Sequence, residues 1–407
     1  MMSRQLLFAS AALSLVASSC ATTATVDAVR FHNKPIVTVV NDRVDTREKP
    51  ADNPFVKMLY HFDGYFHKRF INWTEMPPKR RATNINALGE VPDSTWFTNR
   101  VGVREVTIDE MRRGPNRPGG PMANKPWTIK SSKVGGVSIG FIMKDSAGDT
   151  YLLKFDTKEV PEEETAADVI LSRILWACGY NVAEDYIVSF KREDLIIGEG
   201  AQVKKPFGAG KPLTDKQLDD SLAQVAIGPD GTIRGLASRF LSGKPLGPWP
   251  REGVRKNDPN DTIDHLLRRE LRGAYAFFAW LSHTDIKGDN TLDMWVEDPK
   301  NKNIRYVMHY LIDLGKGLGV QDSTANRKHV AYAHNFDIGD FFRSLVTLGL
   351  WKRPWEGRRS ADLVGVGLFE SKHFDPGNFR AYSPVSYTHL RAHETSDDIS
   401  YAVFCLK

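Results

Sequence analysis

Hydrophobic and polar positions along the chain fall into stretches of distinct period, the clearest of which begin near Val134. There Gly135-Gly136-Val137-Ser138-Ile139-Gly140 leads into Phe141-Ile142-Met143, a polar turn at Ser146 to Asp149, and a second apolar run, Tyr151-Leu152-Leu153-Lys154-Phe155. Two apolar runs joined by a glycine-bearing turn predict a β-hairpin. Pro161 with Glu162, Glu163 and Glu164 predicts a helix start, since proline fits the first turn and acids there meet the positive end of the helix dipole. Ile170, Leu171, Ile174, Leu175 and Cys178 follow with helical period, and Gly179 supplies the stop. Val182 to Phe190 reads as the next strand. Farther on, Leu267, Leu271, Ala274, Phe278 and Leu281 form one stripe and predict a helix from Thr262 to Leu281. Two more apolar runs, Leu292 to Val296 and Ile304 to Ile312, flank the turn Asp298-Pro299-Lys300-Asn301, and Phe336 to Leu350 reads as a further helical piece.

Before Lys130 the pattern is weak. It offers a short strand at Ile36 to Val40, an aromatic-rich segment at Phe55 to Trp73 and a Pro/Gly-rich linker at Arg113 to Gly120. Asp93 to Arg100 (DSTWFTNR) has the aromatic and polar content of a packing or docking element, with no assignable chemistry.

Both ends read as lying outside the fold. Arg4, the apolar run Leu6 to Ala17 and Ser18-Ser19-Cys20 have the three-part grammar of a secretory signal, too short to span a bilayer as a mature helix. Val16 to Cys20 also resembles a bacterial lipobox, which makes Cys20 the lipidated N-terminus of an exported, membrane-anchored lipoprotein of the cell envelope; plain cleavage near this point is the alternative. Val385 to Thr395 and Ile399 to Leu406 resemble the translation of a sequencing adapter and its flow-cell primer. Residues 385–407 are therefore expected to be an artefact, with the natural chain interrupted near Pro384.

Composition narrows the classes. With 407 residues, 41% apolar and 26% charged, the chain has material for substantial cores and is neither disordered nor polytopic. Lys and Arg exceed Asp and Glu by 55 to 50, a net +5 spread along the chain, which argues against a nucleic-acid partner. Three cysteines without a Cys/His cluster exclude a disulfide framework and make structural zinc unexpected.

The predicted helix ending at Leu281 delivers the chain into His283-Thr284-Asp285-Ile286-Lys287-Gly288-Asp289-Asn290, and the run Ile304 to Ile312 ends at Asp313-Leu314-Gly315. The first segment resembles the HRDLKPEN catalytic loop of protein kinases and the second their DFG metal site. The order of Lys154 on a strand, an acidic helix start and the strand entry Val182-Ala183-Glu184 is similar to HipA-type kinases, and phosphatidylinositol kinases resemble it in outline. The resemblance covers roughly residues 134–320. It implies an α+β, two-lobed protein-kinase-like fold, with an antiparallel-sheet N-lobe carrying one helix, a mainly helical C-lobe and an irregular N-terminal extension. The expected organisation is signal 1–19, extension 20–130, N-lobe 131–245, C-lobe 246–384 and artefact 385–407.

Phosphoryl transfer needs charge on the nucleotide oxygens neutralised and an acceptor hydroxyl held in line, so positioning and electrostatics do most of the work. Lys154, beneath a glycine loop containing Gly135, Gly136 and Gly140, is suited to grip the α- and β-phosphates of ATP. An acid on the following helix must hold that lysine, and Glu164 and Asp168 both qualify as i, i+4 neighbours. Asp285 is the candidate base for the acceptor hydroxyl, Lys287 the cation near the γ-phosphate, and Asn290 with Asp313 the ligands of Mg²⁺. His283 is expected to be a structural loop residue.

Two departures stand out. The loop is GGVSIG rather than GxGxxG, and Thr284 stands where many protein kinases have an arginine that reads a phosphorylated activation loop, so that form of switching is not expected. Gly136 to Gly140 also fits the GxSxG elbow of serine hydrolases, but a polar stretch precedes it and a hairpin follows where the elbow needs a buried strand and a helix. The expected function is Mg²⁺-dependent phosphotransfer from ATP to an unknown acceptor; the alternative is a catalytically silent kinase-like binding or scaffold lipoprotein, since an exported chain meets little ATP.

Overall fold

The computed structural model describes residues 37–55, 62–67, 70, 82–133, 138–204, 209–250, 252–320, 331–334 and 337–353, with short pieces at 355–356, 363, 365–369 and 379–381. The signal segment, Cys20, Gly135, Gly136 and residues 385–407 lie outside the described residues.

The hairpin read from the pattern forms as β2 (Gly140–Lys144) and β3 (Thr150–Lys154), and β1 (Trp127–Ser132) pairs antiparallel with β2. β4 (Asp185–Phe190) reaches β3 through β7 (Ile233–Arg239), which lies antiparallel to both. Between β4 and β7 the chain inserts β5 (Leu195–Val203), β6 (Lys211–Pro212) and a helix, Asp215–Leu222. β5 joins the far edge parallel to β1, giving the order β4-β7-β3-β2-β1-β5-β6. One face of the sheet is apolar: Trp127, Ile129, Met143, Tyr151 and Leu153 are buried there with Leu218 and Leu222 of the inserted helix. At about 1.5–3 kcal/mol for each large side chain withdrawn from water, this face is the main driving force for the sheet.

Helices are numbered in chain order: α1 (Ile108–Arg113), α2 (Glu163–Ala177), α3 (Asp215–Leu222), α4 (Arg269–Trp280) and α5 (Ile338–Val346). α2 starts with Glu162 in the left-handed region at φ +66°. Its first free amides, those of Glu164 and Thr165, are taken by the carboxylate of Asp156 at 2.8 and 3.0 Å, so the cap comes from the strand side rather than from the glutamates. The helix ends at Gly179, φ +117°, where a Cβ would sit 2.3 Å from the Phe97 ring. Trp96 and Phe97 belong to the buried cluster that α2 and α4 share, so Asp93 to Arg100 is a packing element.

The stripe from Thr262 to Leu281 forms a short 3₁₀ turn, His265–Leu267, and then α4, with Arg268 extended between them. The break has a polar cause: Asp264 caps Leu266 N–H at 2.9 Å, and Arg268 is drawn to Asp261 at 2.9 Å. The run Ile36 to Val40 contributes one bridge, Val39 with Asp93. In the second half β8 (Lys244–Gly247), β9 (Thr291–Glu297) and β10 (Arg305–Leu311) form a three-stranded sheet. Asp298 accepts from the amides of Lys300 and Asn301 and closes the β9–β10 turn read from the pattern.

Candidate active site

Lys154 is the last residue of β3 and lies opposite Gly140 in the ladder. Any side chain at Gly140 would meet the Leu153 carbonyl at 2.6 Å, so glycine is required for the strands to close over the lysine. Lys154 is buried, with its Nζ 2.6 Å from Asp313 Oδ1 and 3.4 Å from Asp168 Oδ2. Of the two acids left open by sequence, Asp168 faces Lys154, and it also accepts Leu314 N–H at 3.2 Å. Glu164, one turn earlier, instead takes Lys316 at 2.9 Å. Both acids thus tie α2 to the segment beginning Asp313-Leu314-Gly315.

Backbone bonds sew the two loops together. Thr284 N–H donates to the Lys316 carbonyl at 3.1 Å, Leu318 N–H to Leu281 at 2.7 Å and Ile312 N–H to Asn290 at 3.0 Å. Asp313 has φ +57° and Ser282 φ +49°, left-handed conformations that non-glycine residues hold only where the surroundings enforce them. Asp285 Oδ2 accepts from Lys287 Nζ at 2.7 Å and from Asn290 Nδ2 at 3.1 Å, while Asn290 Nδ2 also reaches the Asp313 carbonyl at 3.5 Å. Lys154, Asp168, Glu164, Asp285, Lys287, Asn290 and Asp313 therefore share one cleft, with Gly140 in its roof.

The electrostatics follow from crowding. Burial alone would lower the Lys154 pKa, but the charges of Asp313 and Asp168 reverse this and hold the ammonium protonated. Lys154 in turn keeps Asp313 well below the ordinary carboxylate range, against the opposing effect of burial. Burial pushes Asp168 up, and Lys154 pulls it back only in part because Asp313 makes the shorter contact.

Sequence reasoning missed two residues. Lys133, at the end of β1, bonds Ser138 Oγ at 2.7 Å, and burial together with the Lys154 charge lowers its pKa, which places it in the field of the cleft. Lys316 follows the Asp313-Leu314-Gly315 triplet. Neither position carries a periodic signal; only the pairing of β1 with β2 and of Lys316 with Glu164 reveals them.

A strand lysine held by a helix acid, an Asp-x-Lys-x-x-Asn loop and a second aspartate meet beside a mostly antiparallel sheet. The described residues form a mixed α+β fold, a large sheet with few helices. Among solved structures the chain is similar to the Rio2 kinase-ADP/Mg²⁺-phosphoaspartate complex from Chaetomium thermophilum, at 14% identity over 68% of this chain and 70% of that one, with a TM-score of 0.25. That overlap is too loose to transfer residues. No protein-family model matches the chain, and no curated protein does.

His283 is 2% exposed, with its ring 5.0 Å from Phe278 and its backbone N–H on the Phe278 carbonyl at 2.8 Å. Burial pushes its pKa down to about 4, against the opposing charges of Asp285 and Asp313. The folded chain therefore prefers neutral His283, whereas the unfolded chain protonates it near pH 6.5. The stabilisation is whole above pH 6.5 and is lost as the pH falls toward 4. His283→Gln should accordingly lose less stability than the parent between pH 7 and 4.5, read as urea midpoints at the two values; equal losses would show that His283 does not carry this acid sensitivity.

Proposed function

We propose that the chain is a Mg²⁺-dependent phosphotransferase of the atypical kinase class, moving the γ-phosphoryl group of ATP to an acceptor hydroxyl. The supporting observation is the convergence of Lys154, Asp285, Asn290 and Asp313 on one cleft although 159 residues separate Lys154 from Asp313. In this reading Lys154 binds the α- and β-phosphates, Lys287 lies near the γ-phosphate and Asp285 takes the proton of the acceptor hydroxyl as its oxygen bonds to phosphorus and ADP leaves. The donor set suits magnesium. Asn290 uses Nδ2 on Asp285, leaving its amide oxygen, and Asp313 uses Oδ1 on Lys154, leaving Oδ2. No group of three or more His, Cys, Asp or Glu that could hold a metal occurs among the described residues. Held by Asn290 and Asp313, the cation would neutralise charge on the β- and γ-phosphates. The reading includes export and lipidation at Cys20.

One observation favours the silent alternative. Lys154 sits closer to the proposed metal ligand Asp313, at 2.6 Å, than to Asp168, at 3.4 Å, so the cation site is engaged by a lysine. Nucleotide binding separates the two readings. The full chain titrated with ATP should show affinity that rises with Mg²⁺, and Lys154→Ala and Asp313→Ala should each weaken it at least about ten-fold, the loss of one charge-assisted contact. A parent without Mg²⁺-dependent affinity overturns the enzymatic reading in favour of the scaffold.

A further inference from the structure

Among the described residues four lysines border the cleft, and three of them are matched by acids. Lys154 meets Asp168 and Asp313, Lys287 meets Asp285, and Lys316 meets Glu164. Lys133 differs. Its Nζ bonds Ser138, through Oγ at 2.7 Å and the carbonyl at 3.5 Å, and it forms no ion pair with a carboxylate among the described residues.

The course of the side chain places that charge on the cleft. Gly140 and Lys154 stand opposite each other in the β2–β3 ladder, so side chains at the two positions leave the same face of the sheet. A Cβ at Gly140 would lie 3.2 Å from Lys133 Cδ and 3.5 Å from Lys133 Cβ, and the Lys133 N–H donates to the Gly140 carbonyl at 2.8 Å. The apolar stem of Lys133 therefore crosses the bare backbone of Gly140, on the face from which Lys154 projects. Burial and the Lys154 charge lower the Lys133 pKa while Asp313 and Glu164 oppose them, so the groups that define the cleft also act on this ammonium. Two ammonium groups on one face repel, and a half-buried one without a carboxylate gains most from an anion that enters. In sequence Lys133 stands immediately before Val134 and the GGVSIG loop, where it supplies a full charge at the place a regular glycine loop offers backbone amides.

We propose that Lys133 is a second phosphate-binding lysine of the cleft, which exchanges Ser138 for a phosphate oxygen of the bound nucleotide. The proposal rests on the phosphotransferase reading for its ligand and adds to it the role of Lys133.

The test titrates the full chain with ATP in the presence of Mg²⁺, read by calorimetry, beside Lys133→Met, Lys133→Arg and Ser138→Ala. Methionine keeps an apolar stem over Gly140 and removes the charge, so affinity should fall at least about ten-fold, the loss of one charge-assisted contact. Arginine keeps the charge and should hold affinity within about three-fold. Ser138→Ala removes the bond the lysine makes in this structure but not its charge, and should bind at least as tightly as the parent to within about two-fold. Should Lys133→Met fail to fold, as read by thermal melting, Lys133→Gln carries the same comparison. Parent and Lys133→Met binding ATP with equal, measurable affinity overturns the proposal and leaves the phosphotransferase reading intact. So does a Ser138→Ala variant that loses as much as Lys133→Met, since the lysine then acts only by holding Ser138 and the end of β1 in place. A parent without Mg²⁺-dependent affinity overturns both.

Discussion

Asp285→Asn is expected to slow phosphoryl transfer by about a hundred-fold to ten-thousand-fold, the usual worth of a positioned general base, while Mg²⁺-dependent ATP affinity stays within about three-fold. The separation follows from where the residue sits. Asp285 makes its contacts with Lys287 and Asn290, whereas Lys154, which we assign to the nucleotide phosphates, is held by Asp168 and Asp313. Asparagine keeps the shape and can accept from Lys287 through its amide oxygen, but it cannot take a proton from an acceptor hydroxyl. Single-turnover transfer from labelled ATP to candidate protein, lipid or sugar acceptors, run beside a binding titration, reads both quantities. A rate within five-fold of the parent removes Asp285 from the role of base; a parallel collapse of binding makes it a residue that holds the cleft together. The surroundings favour retained affinity for a polyanionic ligand in this variant, because Lys133, Lys154, Lys287 and Lys316 all border the same space.

How far the cleft could be read from sequence depended on whether a signal was local. The β2–β3 hairpin and the body of α2 follow from two adjacent apolar runs and one helical stripe, where the period alone determines which side chains are buried. The choice between Glu164 and Asp168 is different, because spacing puts both on one face and only the approach of the Asp313 segment decides which meets Lys154. The split of the Thr262–Leu281 stripe was illegible for the same reason: helical period continues through it, and the competing hydrogen bonds come from Asp261 and Asp264 once the surrounding chain has folded. The insertion from β5 to α3 carries its own apolar signals, but its parallel seat on β1 is a long-range pairing that no local pattern announces. The buried charges around Arg255 lie furthest from sequence. Arg255 and Asp293 are 38 residues apart, and each alone reads as an ordinary surface residue.

Those charges carry the largest stability effect expected. The Arg255 and Asp293 side chains are 1% and 0% exposed and 2.6 Å apart, and Asp293 also takes His309 Nδ1 at 2.5 Å. Arg255 spends its other amino group on the carbonyls of Ala51 and Leu246, at 2.6 and 3.0 Å, and its backbone N–H on Asp261 at 2.6 Å. Asp261 in turn holds His265 at 2.8 Å and Arg268 at 2.9 Å, and Trp96 stacks on His309 with ring centres 3.5 Å apart. The network thus fastens the N-terminal segment, β8, β9 and β10 into one assembly. Asp293→Ala leaves a guanidinium in a site from which water is excluded, a situation that costs about 3–5 kcal/mol, so urea unfolding should fall by that amount and the melting temperature by about 10 °C. Lys216→Ala, which removes an ion pair 86% and 64% exposed, should change stability by less than about 0.5 kcal/mol. The deciding comparison is Arg255→Met/Asp293→Leu, which removes both charges and fills their space. Most of the cost of Asp293→Ala arises from the stranded charge rather than from the lost attraction, so the double variant should be clearly more stable than the single one. A double variant as unstable as Asp293→Ala would mean that the hydrogen bonds to Ala51, Leu246 and His309, and not charge compensation, hold this part of the molecule together.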